Sequence, residues 1–303
     1  TCTVADVPDN TVKNGVIVSM DAMADFIKES ARKNDIPKAD ASVIIPAAQI
    51  MTKNVTMPAM NVQQLMFNLP YELKDYIREE KKNYYFDYAV REIIADDEGR
   101  PYEMRLLACA VLKSVIEEYD TMFRRAGFRL KTAIPEECAY TNIVNSISDG
   151  LSDDLCIADL GHSSTRLHIF HKGEYAAMRN IDVGGKDLDI LIADESGIDI
   201  HMAQIYKKSN YNAVLESEMA VGVYNRLAVE IMKAVNFFNY NNRAAELNDL
   251  YLCGGGAQID TLVRTIAEET KLNIYPASKL TFRNPDLDRP DMFLKSCGLV
   301  IGG

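Results

Sequence analysis

The chain has 303 residues, which at about 150 residues per domain suggests two domains. Its 44 acidic against 33 basic residues leave a formal charge of −11, the wrong sign for a dedicated nucleic-acid binder. A hydrophobic content of 48% with 25% charged residues excludes wholesale disorder, and no apolar run approaches the ~18 residues of a membrane span. Thr1–Asn14 carries no apolar core of signal-peptide type. The expectation is a soluble protein.

Cysteines stand at positions 2, 109, 138, 156, 253 and 297, with no CxxC pair, so neither a zinc knuckle nor a redox dithiol is expected. Cys109, Cys156 and Cys253 lie inside apolar runs, where a thiol behaves as a small hydrophobe, and a reducing, cytoplasmic setting follows.

In chain order, Ala22, Met23, Phe26 and Ile27 keep helical spacing up to Asn34 and Pro37. Ser42–Ile45 and Ile50–Met57 read as strands that end at Pro46 and Pro58. The stretch 61–80 reads as a helix that Pro70 should kink or split. Tyr85–Ala95 and Tyr102–Val111 are strands around a turn at 96–101, and Ser114–Ala126 is an amphipathic helix capped by Gly127. From Ile50 to Phe128 this makes an α+β unit.

The pattern then becomes α/β. Pro135–Ile147 reads as a helix, Leu155–Leu160 as an apolar strand, Gly161–Ser164 as a tight turn, and Thr165–His171 and Tyr175–Val183 as two further strands. Gly184-Gly185 opens a helix to about Ala193, and Glu218–Asn242 is a long helix. Leu250–Cys253 is a buried strand that runs into Gly254-Gly255-Gly256 and another helix.

Four local patterns carry possible chemistry. In LCIADLGHSSTRLHIF, residues 155–170, a strand delivers Asp159 and Gly161 lets backbone N–H groups converge as an anion nest. Ser163, Ser164 and Thr165 add hydroxyl donors, His162 lies in the same turn, and Asp159 suits a Mg²⁺ held through water. An ordinary β-hairpin with a polar turn explains the motif equally well. Gly254–Gly256 before a helix would let a flat ligand or phosphate approach, although a tight strand-to-helix connection is the plainer account of a lone triplet. Glu136 in Pro135-Glu136-Glu137-Cys138-Ala139 could orient water against a γ-phosphate, or simply complement the helix dipole, and Gly184-Gly185 carries similar weight. There is no GxxxxGK[ST] loop and no GxSxG elbow, and His168 and His171 face opposite sides of one strand.

Together and in this order, the Asp159–Thr165 hairpin, the Glu136–Ala139 ExxA helix and the Gly254–Gly256 turn resemble the actin-like ATPase superfamily. Within it the chain resembles the PilM family of type IV pilus assembly over nearly its whole length. The stretches VPDNTVKNGVIVSMDAMADFI, VIIPAAQIMTKNVTMPAM, LLACAVLKSVIEEYDTMFRRAGFRL and DLGHSSTRLHIFHKGEYAAMRNIDVGG carry the likeness. The resemblance implies an actin-like, ribonuclease H-like two-lobed α/β fold. Residues 1–47, 129–150 and 290–303 would form one lobe, 48–128 an inserted α+β subdomain and 151–289 the second lobe.

It further implies ATP or ADP with Mg²⁺, with phosphate contacts at Asp159, Gly161, Ser163, Ser164 and Thr165 and nucleoside contacts near Gly254, Gly255 and Gly256. Glu136 matches the ExxA glutamate, Glu137 being the alternative, and Gly184-Gly185 matches the family's helix start. The front Asp-x-Gly-Ser/Thr hairpin of actin-like folds is not found before residue 40, so it either lies upstream of Thr1 or is lost, and weak nucleotide binding is expected. The implied function is a cytoplasmic scaffold with at most weak ATPase turnover, brought to the membrane by the cytoplasmic N-terminal peptide of a bitopic PilN-like protein. The alternatives are an FtsA-like division protein and a small-molecule kinase of the same superfamily.

Overall fold

The computed structural model describes residues 3–13, 15–147, 151–280 and 290–302. They fall into two compact units, residues 3–139 and 140–301, and the boundary lies within one helix.

The first unit opens with a small hairpin of β1 (Val12–Lys13) and β2 (Val16–Ile17), followed by α1 (Met20–Lys33), β3 (Asp40–Ile45) and β4 (Ile50–Pro58). Then come α2 (Val62–Glu72), β5 (Tyr84–Ala95), β6 (Pro101–Leu112), α3 (Lys113–Ala126) and β7 (Arg129–Pro135). Helix α2 begins at a capping box, with Asn61 and Gln64 each bonding the other's backbone N–H. Pro70 is accommodated in its last turn, and the helix stops two residues later rather than kinking and running on to 80. Helix α3 ends on Gly127 at φ +96°, a left-handed cap.

Strands β4, β6 and β5 form an antiparallel sheet with β6 central, separate from the sheet that holds Leu155–Leu160. Alternation along β6 feeds two cores. Met104, Leu106, Ala108 and Ala110 pack with Leu65 and Leu69 of α2, while Cys109 and Val111 join a second core with Met23, Ile45, Tyr119 and Met122. Helix α3 therefore packs with α1 and with the parallel pair β3–β7, not with α2. Strand β7 is absent from the sequence reading.

The second unit begins at residue 140, within α4 (Glu136–Asn145), and continues with β8 (Leu155–Leu160), β9 (Thr165–His171), β10 (Glu174–Ile181), α5 (Gly185–Ser196), α6 (Ile200–Ser209) and α7 (Glu218–Asn241). It continues with β11 (Asp249–Cys253), α8 (Asp260–Thr270), β12 (Asn273–Pro276) and α9 (Leu294–Ile301). Its sheet has the order β10-β9-β8-β11-β12, antiparallel among β10, β9 and β8 and parallel from β8 through β11 to β12.

Every residue of β8 is buried, because helices cover both faces. Cys156, Ala158 and Leu160 face a core shared with Tyr224, Ile231 and Val235 of α7 and Ile266 of α8. Leu155 and Ile157 face the other way, toward Tyr140 and Ile143 of α4 and Leu294 of α9. Helix α9 thus belongs to the 140–301 unit, whereas the sequence reading grouped 290–303 with residues 1–47. The reason is Leu294, 1% exposed, which seats α9 in this core. No helix among the described residues is long and apolar enough to cross a membrane.

Candidate functional site

Asp159 through Thr165, Gly184-Gly185 and Gly254–Gly256 all lie in the 140–301 unit. The β8–β9 turn and the start of α5 are fitted directly against each other. A Cβ on Gly184 would stand 2.5 Å from the His162 carbonyl oxygen and 2.8 Å from the Ser164 nitrogen, and one on Gly161 would stand 2.8 Å from the Ser164 carbonyl oxygen. Across this contact Gly185 N–H donates to Gly161 O at 3.0 Å and Lys186 N–H to His162 O at 2.8 Å, while Gly184 N–H donates to Asp187 Oδ2 at 2.8 Å. The donors at this helix start are spent on the turn and the helix's own cap. Thr165 is likewise engaged, donating to Val183 O at 2.9 Å. The half-buried Ser163 and Ser164 hydroxyls have no hydrogen-bond partner among the described residues, so they stay available to a ligand.

Below the turn sits a buried ion pair. Asp189, 1% exposed, has an oxygen 2.6 Å from Lys207 Nζ, and Lys207 also donates to Gly185 O at 2.9 Å. His162 Nδ1 is 3.7 Å from the same carboxylate. Burial, with the Lys207 charge second, holds the His162 imidazole below its ordinary value.

The three glycines have unequal roles. Gly254 adopts φ +84°, and a Cβ there would lie 2.6 Å from Asp159 Oδ1 and 2.8 Å from Leu160 O. A Cβ on Gly256 would lie 2.7 Å from Leu160 Cβ, whereas Gly255 faces open space. Two of the three are therefore required by the end of β8 packing against them. Between the turn and Gly256 is a cavity of about 30 Å³, lined by Leu160, Val183, Leu188, Tyr224 and Leu227. That is room for a water or two and not for a purine ring.

Asp159 is 8% exposed and does not present an open carboxylate. Its Oδ2 is 2.6 Å from Lys295 Nζ of α9, and its Oδ1 packs against Gly254. This arrangement does not fit a Mg²⁺ held by Asp159, since an ammonium stands where the metal's charge would act. Nor do three His, Cys, Asp or Glu residues gather to suit a metal ion anywhere among the described residues.

Glu136 begins α4, is 5% exposed, and lies in the 3–139 unit, apart in the chain's division from the turn. Its neighbour Glu137 accepts from Thr52 Oγ1 at 2.9 Å. The histidines have structural partners: His168 Nδ1 meets Tyr175 Oη at 2.9 Å against the Tyr140 ring, and His171 Nδ1 meets Asp154 at 2.7 Å. The described cysteines form no disulfide. Sequence reasoning missed Lys295 and the Asp189–Lys207 pair. The one available signal for Lys295 was a lone charge inside the otherwise apolar FLKSCGLVI.

A family model described as type IV pilus assembly protein PilM matches residues 1–288. Among solved structures, a PilM–PilN type IV pilus biogenesis complex superposes with a TM-score of 0.79 at 18% identity, covering 97% of this chain and 88% of that one. The ethanolamine utilization protein EutJ from Carboxydothermus hydrogenoformans gives a TM-score of 0.60 at 14% identity over 97% of this chain and 78% of that chain. MreB5 of Spiroplasma citri bound to ADP gives 0.51 at 16% identity, over 94% and 76%. At these identities the likeness is one of fold, and the fold is actin-like α/β.

The glycine geometry separates two substitutions. Gly184→Ala is expected to cost about 1–3 kcal/mol, because the turn cannot retreat without breaking its bonds to α5. Gly255→Ala is expected to stay within about 0.5 kcal/mol of the unaltered chain. Urea unfolding of the two variants, compared at equal slope, checks the contrast.

Proposed function

This chain belongs to the type IV pilus assembly protein PilM family, and we propose that it acts as a docking scaffold for an extended cytoplasmic peptide of a bitopic, PilN-like inner-membrane protein. The observation that carries this reading is an open cavity of about 410 Å³ within the 3–139 unit, beside strand β5. Tyr85, Asp87 and Tyr88 of β5 line it, with Leu107 and Cys109 of β6 and Cys138 of α4. Strand β5 is an outer strand of its sheet, so one side of its twelve-residue backbone has no strand partner among the described residues. An extended peptide laid along such an edge gains main-chain hydrogen bonds, and every second side chain enters the cavity. The aromatic rims supply large contact area at small entropic loss. On this reading the chain is cytoplasmic and reaches the membrane through its partner.

A second reading, adenine-nucleotide binding, is favoured by the Ser163 and Ser164 hydroxyls and by the open side of Gly255. Phosphate oxygens of ATP or ADP would accept from the two hydroxyls on the outer side of the turn. This reading predicts that Ser163→Ala/Ser164→Ala weakens ADP binding about tenfold or more, measured by calorimetry with the full chain. Equal affinity in the double variant would remove it.

For docking, the measurement is fluorescence polarisation with the short cytoplasmic N-terminal peptide of a bitopic PilN-like protein. Micromolar binding is expected, and Cys138→Phe, which fills the cavity, should weaken it at least tenfold while thermal unfolding stays intact. Absence of binding to the unaltered chain would overturn the proposal.

The two half-buried cavity thiols give an independent check on how far its wall is shielded from solvent. Burial above all, with the Asp87 carboxylate next, pushes Cys109 up to about 12, and burial with the Glu137 charge pushes Cys138 up to about 11. Only the thiolate alkylates, so iodoacetamide labelling of both should be slow near pH ~8 and rise by about tenfold per pH unit without levelling off before about pH 11. Peptide mapping by mass spectrometry reads each site, and rapid labelling near pH ~8 would contradict the burial.

A further inference from the structure

Alternation along β8 puts Leu155, Ile157 and Asp159 on one face, the face that α9 covers. Leu294 anchors α9 in that core, and the next residue, Lys295, reaches the carboxylate at the strand's end. The contact is close, 2.6 Å from Nζ to Oδ2, with the two side chains 36% and 11% exposed. A pair so shielded attracts more strongly than one at the open surface. The other oxygen, Oδ1, faces Gly254 so closely that a Cβ there would stand 2.6 Å from it.

Asp291, four residues before Lys295, is also engaged: its Oδ1 accepts from Ser278 N–H at 2.8 Å, and its carbonyl accepts from Gly254 N–H at 3.1 Å. We propose that the Lys295 ammonium is the built-in counter-cation of the Asp159 site and takes the place of a divalent metal ion, so that Asp159 of this chain holds no Mg²⁺. A metal bonded to Oδ2 would stand within about 5 Å of the ammonium, a like-charge contact inside a mostly shielded site. The substitution also changes what the site does. A divalent ion would be free to dissociate, whereas Lys295 is part of α9 and ties that helix to the end of β8 by its own side chain. The inference depends neither on peptide docking nor on nucleotide binding.

The test is thermal unfolding of the full chain in EDTA and in millimolar Mn²⁺ at constant ionic strength, with Mn²⁺ alone as the probe. The unaltered chain should melt at the same temperature in both. Lys295→Met, which keeps the length of the side chain and removes the charge, should melt about 3–6 °C lower in EDTA and recover part of the loss in Mn²⁺. Lys295→Met/Asp159→Asn should recover without metal and show no response to Mn²⁺. Two results overturn the proposal: a Mn²⁺-dependent rise in the unaltered chain that Asp159→Asn abolishes, or a Lys295→Met variant whose melting ignores Mn²⁺. Electron paramagnetic resonance of free Mn²⁺ reads the same comparison without relying on stability, and circular dichroism verifies that each variant is folded.

Discussion

Strand β8 is the constraint on which the 140–301 unit depends. It is central in its sheet, paired antiparallel with β9 and parallel with β11, and buried at all six positions. A strand buried on both faces has no polar side on which to shift by one residue. Its register therefore fixes which side chains meet α7 and α8 and which meet α4 and α9. The same register decides that Asp159 points at α9.

The β8–β9 turn illustrates how a glycine-rich motif can serve packing more than ligand approach. Gly161, Gly184, Gly254 and Gly256 each lack room for a Cβ because another part of the protein is already there. At the start of α5 the N–H groups point at the turn's carbonyls, so the helix start braces the hairpin instead of remaining an open anion site. What remains for a ligand is narrower than the motif suggests: two serine hydroxyls and the exposed side of Gly255. Rigidity is the physical gain, since the turn is held on one side by α5 and on the other by the Gly254 connection.

The 3–139 unit is built on a different principle. Strand β6 feeds one core through its even positions and another through its odd ones, so a single strand couples α2 to the α1–α3–β3–β7 layer. Its neighbour β5 is buried only in part and, among the described residues, has one edge without a strand partner next to a cavity. A long unpaired edge is a hazard for association with other chains unless it has a purpose, and a peptide-docking edge is one.

Local sequence determined much of this protein. Leu155–Leu160 is read with its exact strand bounds, α3 with its Gly127 cap and α7 to within a residue, because continuous apolar runs and 3.6-residue periodicity are local signals. Strands β7 and β12 and helix α6 are missed for the converse reason. Strand β12 has four residues, α6 buries only Ala203 among its own, and β7 runs into a helix start at Pro135 that dominates the pattern. The glycines and hydroxyls of the turn are visible in the sequence as residue types, but whether their N–H groups face a ligand or another turn is not. Tertiary structure alone decided that α9 packs on β8, and hence that Lys295 neutralises an aspartate 136 positions away. No periodicity encodes such a pair. It exists because Leu294 prefers a core that only the folded sheet provides, and the ammonium beside it is then carried to the carboxylate.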